Sequence, residues 1–132
     1  MPPLTKLINQ GIDNPVAVLA GGETTVLLKG QDRGGRNQEL ALAFTIAAGK
    51  YHLPDCWVLL SGGTDGRDGP TDAAAGLIDP GTYQRIIEAK LNPFDSLVDN
   101  DSNTSLKAAD DLLETGATGT NVADLQVLLI YP

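Results

Sequence analysis

Cysteine and histidine are nearly missing from this 132-residue chain, which has one of each, Cys56 and His52. A single cysteine excludes an intramolecular disulfide and a cysteine-based metal site, which suits a reducing compartment. Cys56 falls in the apolar run Cys56-Trp57-Val58-Leu59-Leu60, so a buried, inert thiol is expected there. A Ser-His-Asp triad would have to use His52, which sits in a polar connector beside Pro54. Basic residues are also scarce, 9 against 17 acidic ones, for a net charge of −8. Such a balance argues against nucleic acid or an anionic membrane as partner, since both need a basic face. A few arginines and backbone N–H groups can still reverse the field within a cleft, so a small anionic ligand stays open. No apolar run approaches the ~20 residues of a transmembrane helix. No basic stretch followed by an apolar one marks a signal peptide, and the expected location is the cytoplasm. Both nucleotide fingerprints, G-x-G-x-x-G opening a helix and G-x-x-x-x-G-K-[ST], are absent as well. If ATP or NAD is bound, its main pocket is expected outside this chain.

What remains is ordinary for a folded domain with one core, at 42% hydrophobic and 20% charged residues. Residues 1–15, with three prolines, read as a lead-in, and residues 16–132 as a single domain. Val16–Ala20 is apolar and branched, Gly21-Gly22 is a turn signal, and 23–29 reads as a second strand. Together they predict an N-terminal β-hairpin, with Glu23 exposed on it. Leu40, Ala43, Phe44 and Ala47 recur at helical spacing after a glycine-rich loop, and Gly49 is expected to end that helix. A buried strand at 56–60 follows, then a short alanine turn after Asp72 and a short strand or bend at Gly76–Asp79. Pro80–Lys90 reads as an amphipathic helix and Pro93–Val98 starts another. The run Asp99–Thr104 caps a helix carrying Leu106, Ala109, Leu112 and Leu113. Leu125–Tyr131 is a last, central strand. This alternation predicts a three-layer α/β/α domain with a mixed sheet.

Three polar glycine loops interrupt these elements, and they are expected to gather on one edge. The richest runs from Ser61 to Asp72 and holds Asp65, Asp68, Asp72, Arg67, Thr64 and Thr71. It leaves the carboxyl end of a central strand, where open α/β sheets place their ligands. A connecting turn needs far less charge and hydroxyl than this. Gly30–Glu39 leads into a helix N-terminus, with Arg33 and Arg36 beside it. Two guanidiniums and unpaired helix N–H groups can clamp a phosphate or carboxylate. Equally, Arg33 and Arg36 can pair with Asp32 and Glu39 at the surface. Thr115–Asn121 is the third loop.

Three blocks in this order resemble the MOFRL domain, the C-terminal part of class II glycerate kinases. They are Gly21–Thr25 through Arg33–Leu42, then Ser61–Ala74, then Thr118–Val122. The resemblance covers nearly the whole chain from about Val18 onward. It implies that the complete enzyme transfers a phosphoryl group from ATP to the 2-hydroxyl of glycerate, assisted by Mg²⁺. It also implies that a separate N-terminal domain, in cis or in trans, holds the nucleotide, and that this chain binds neither ATP nor Mg²⁺ tightly alone. Arg36 would be the main electrostatic residue, with Arg33 assisting. Asp65 and Asp68 would act catalytically, reaching Mg²⁺ or the substrate hydroxyls. Asn37, Thr64, Thr71, Thr120 and Asn121 would bind substrate. An older family name, hydroxypyruvate reductase, supplies the alternative activity; a stand-alone hydroxy-acid or phosphate-binding module and a purely structural role are the others. Homo-oligomerisation is left open. Two departures from the family pattern are the missing aromatic in Asn100-Asp101-Ser102-Asn103-Thr104 and Ala117 in place of a proline.

Overall fold

The computed structural model describes residues 13–22, 34–51 and 53–132. Most of the lead-in, the second hairpin strand with Glu23, and the candidates Arg33 and His52 lie outside the described residues. The strands are β1 (Val16–Gly22), β2 (Trp57–Gly63), β3 (Ala75–Ile78), β4 (Leu112–Leu113) and β5 (Asp124–Ile130). The helices are α1 (Arg36–Lys50), α2 (Thr82–Glu88), α3 (Pro93–Val98) and α4 (Ser102–Ala108).

The strands form one five-stranded sheet in the order β1-β5-β2-β3-β4. β1 and β2, joined across α1, run in the same direction, as in a β-α-β unit. The last strand slots between them, antiparallel to both, so every described pairing is antiparallel. β5 is therefore interior, as its largely apolar sequence predicts. The class is α/β, with helices packed on a sheet. No described helix covers the second face, where Leu19, Leu77, Leu125 and Leu129 are exposed.

The covered face is built by alternation. Trp57 and Leu59 of β2, Ile78 of β3, and Leu128 and Ile130 of β5 all point toward α1. They meet Ala41, Phe44 and Ala48 of α1 and Leu106 of α4. Phe44 and Trp57 pack edge to face, with ring centroids 5.3 Å apart. Each such large side chain contributes about 1.5–3 kcal/mol when fully buried. A second cluster, Leu42, Ile86 and Ala109, joins the helices to one another.

Four local expectations are corrected. Cys56 is exposed, because β2 starts at Trp57 and the alternation sends that ring, not the thiol, inward. Gly49 does not stop α1, which runs on to Lys50 and closes with the Tyr51 N–H on the Ala47 carbonyl. Ala73 and Ala74 are buried and lead straight into β3 rather than into a helical turn. Leu112 and Leu113 form a strand, not the end of α4. Asp110 takes a left-handed φ of 59° and reverses the chain. The carbonyls of Asp111 and Leu113 then accept from the N–H groups of Leu77 and Ala74 beside β3.

Candidate functional site

The floor beneath α1 changes character along its length. On β5 the face toward the helix reads Asp124, Gln126, Leu128, Ile130, and on β2 it reads Gly63, Ser61, Leu59, Trp57. Register places Gly63 opposite Asp124 and Ser61 opposite Gln126. The C-terminal half of α1 thus rests on hydrocarbon, while its first turn, Arg36-Asn37-Gln38, rests on polar groups. Asn37 Oδ1 accepts from Ser61 Oγ at 2.8 Å and from Gln126 Nε2 at 3.2 Å.

That first turn lacks a side-chain cap of its own, because the N-cap residue is Gly35. Asp68 supplies the cap from the second loop. Its Oδ1 accepts from the backbone N and Nδ2 of Asn37 at 3.1 and 3.2 Å. Its Oδ2 accepts from the backbone N and Nε2 of Gln38 at 2.8 and 3.0 Å. A carboxylate there satisfies helix N–H groups that would otherwise be orphaned and meets the positive end of the helix dipole. Gly35 is glycine because a Cβ would run into the Asp68 carboxylate. Thr71 completes the unit, its hydroxyl donating to the Asp68 carbonyl and accepting from Gln38 Nε2.

The third loop is clasped to the second. Thr64 Oγ1 donates to the Ala123 carbonyl and accepts from the Val122 N–H, each at 2.8 Å. Thr118 Oγ1 donates to the Thr64 carbonyl at 2.5 Å. Gly66, at φ +92°, passes so close to the Gly116 carbonyl that a side chain would collide with it. Ala123 itself has a φ of 68°, an uncommon conformation for a residue with a Cβ, held by these bonds. Past that turn β5 begins at Asp124.

Asp124 is where the first and third loops meet. Its carboxylate, 1% exposed, takes Arg36 Nε at 2.5 Å and Nη2 at 3.0 Å, while the Arg36 side chain remains 35% exposed. Such a two-point pair fixes the plane of the guanidinium. Asp65 lies over the end of the neighbouring strand β2. Its Oδ1 lies 3.2 Å from the place a Gly63 Cβ would occupy, and Gly63 is Asp124's partner in the sheet. The same carboxylate oxygen accepts from the Arg67 N–H at 3.0 Å.

Arginine paired with carboxylate does not by itself mark a site. Arg85 Nη2 binds Asp79 and Asp111, and its Nε donates to the Ala109 carbonyl. This brace ties α2 to the ends of β3 and α4. Burial lowers the Arg85 pKa, but hydrogen bonds and charge from Asp111 and then Asp79 outweigh it and leave the pKa raised. A raised cation keeps its stabilising contribution at every pH below its ordinary value. What sets Arg36 apart is its setting among three glycine loops.

The candidates therefore separate into two groups. Arg36 is partly exposed, and Asp65, Thr120 and Asn121 are exposed. Asn37, Asp68 and Thr71 are engaged in the frame beneath it, and Thr64 in the clasp. Asp68 is 2% exposed, and its two oxygens accept four N–H contacts from Asn37 and Gln38, which places it as the cap of α1. No group of three or more potential metal ligands occurs among the described residues. Residue-by-residue reading missed Asp124 and Gln126. The signal was present: polar residues at 124 and 126 of an otherwise apolar strand must share one face.

The MOFRL family model matches residues 16–124. The D-glycerate 2-kinase of Thermotoga maritima is 46% identical over 95% of this chain, which spans 29% of that protein. The glycerate kinase of Bos taurus is 45% identical over 92% of the chain and 24% of its own length. The crystal structure of the Thermotoga maritima glycerate kinase superposes with a TM-score of 0.85 at 44% identity, covering 97% of this chain and 30% of that one. A Pyrococcus horikoshii protein superposes with a TM-score of 0.84 at 33% identity, covering 98% and 30%. The chain thus spans less than a third of the length of these relatives. By its motifs, its fold and this match, the chain belongs to the MOFRL family.

Proposed function

We propose that this chain is the substrate-side part of a glycerate 2-kinase, acting with a nucleotide-binding part that it does not itself contain. The observation that carries this is the Arg36 guanidinium, held in one plane at the junction of three glycine loops. The reaction moves the ATP γ-phosphoryl to the 2-hydroxyl of glycerate. Such transfers need positioning and charge stabilisation more than covalent help from the protein. Arg36 meets the glycerate carboxylate or the transferring phosphoryl, and a planar, two-pronged cation suits either. Thr120 and Asn121 hydrogen-bond the substrate. Asp65 fits as a carboxylate ligand of Mg²⁺, which when bound neutralises phosphate charge. The absent nucleotide fingerprints and the relatives' greater length both support a nucleotide site elsewhere.

The test is Arg36→Ala in the complete protein that carries this sequence. Turnover of glycerate should fall by about 10²–10³-fold, the usual cost of removing one preorganised charge donor. Near-normal turnover would refute the assignment. Calorimetry with glycerate and phosphoglycerate then separates an enzyme from a binding module: heat of binding without product formation at any ATP concentration supports the module.

A further inference from the structure

We propose that Asp124 is a positioning residue for Arg36, setting the angle at which the guanidinium meets its anion; the idea rests on the role given to Arg36 above. Asp124 opens β5 and Arg36 opens α1, 88 positions apart in sequence. Their contact is side-on, through Nε and Nη2, which leaves the Nη1 corner pointing away from Asp124. Asp124 stands in the sheet between Gly22 of β1 and Gly63 of β2.

A negative charge here works against anion attraction. By Coulomb's law alone, Asp124 weakens the field that draws glycerate or phosphate toward Arg36. Its contribution to catalysis must then be geometric. A buried carboxylate that would be costly to leave unpaired holds the guanidinium in one plane, and phosphoryl transfer depends on such alignment. The two effects have opposite signs, which makes them separable.

Asp124→Asn keeps the shape of the side chain and removes its charge. In the complete protein, positioning predicts that kcat for glycerate falls by about 10–100-fold, the usual range for a residue that orients another. KM should change much less. In an Arg36→Ala background the same substitution should have no further effect on kcat, because there is no guanidinium left to orient. Asp124→Asn turnover at or above that of the unaltered protein overturns the proposal, as does a loss that persists in the Arg36→Ala background. Asp124→Glu keeps the charge but shifts the guanidinium; it should also be slowed, and normal turnover overturns the proposal even if Asp124→Asn fails to fold. The two readings fail differently. Arg36→Ala at normal turnover sinks the function of Arg36 itself, whereas a slow Arg36→Ala beside a fast Asp124→Asn sinks only the inference about Asp124.

Discussion

The two halves of α1 rest on different floors and follow different physics. From Ala41 to Ala48 the helix packs on Leu59, Trp57, Leu128 and Ile130. Contacts there are non-directional, and the stabilisation scales with the area removed from water. From Arg36 to Gln38 the same helix stands on Asp68, Ser61, Gln126 and Asp124, where every bond has a direction and a partner. One half makes the fold stable, and the other uses that stability to hold an arginine still. A rigid apolar half lets the polar half tolerate a glycine cap, a left-handed alanine and two buried carboxylates without losing its shape.

The division can be broken from either side. Phe44→Ala removes the ring that packs on Trp57 and should cost about 3–5 kcal/mol, read from denaturant midpoints. Below the transition its kcat should be unchanged. A fall in kcat comparable to that expected for Arg36→Ala would show that the halves are not separate. Asp68→Ala should cost somewhat less, about 2–3 kcal/mol, since it strands helix N–H groups and two buried amides that water can reach only in part. Unlike Phe44→Ala it should lower kcat as well, because the turn that carries Arg36 loses its cap. Unchanged turnover in a folded Asp68→Ala protein would mean that the cap serves the fold alone.

How much of this was legible in the sequence follows the same line. The helix itself was readable from the spacing of Leu40, Ala43, Phe44 and Ala47, but its buried face was not: Ala43 is exposed, and Ala41, Leu42, Phe44, Thr45 and Ala48 turn inward instead. The convergence of the glycine loops was readable as an expectation, and the clasp between residues 64 and 123 and the capping of residues 37 and 38 by Asp68 bear it out. Individual roles were not. Asp65 and Asp68 are three positions apart in one loop and look alike as letters; which one turns inward depends on where the α1 N-terminus lies across space. Asp124 fell between the third loop, read as ending at Asn121, and the strand read as starting at Leu125, although it is the first residue of a strand whose inward face begins with it. The exposed Cys56 is a one-residue slip of the same kind, since shifting a strand by one position exchanges its faces.

The smallest expected effect lies at the outer edge of the polar half. Thr64 joins two loops through one hydroxyl that both donates and accepts. Thr64→Val keeps its shape and removes both bonds. Because the clasp is only partly buried, water can replace the lost partners, and the cost should be about 1 kcal/mol. The Val122 N–H, which the hydroxyl now accepts, should exchange with solvent faster, while the amides of Leu128 and Ile130 in the centre of β5 keep their protection. That local pattern would place the clasp outside the cooperative core. Equal acceleration at Val122 and Leu128 would instead join the rim to the hydrophobic floor as a single unit, and the contrast between the two halves of α1 would have to be given up.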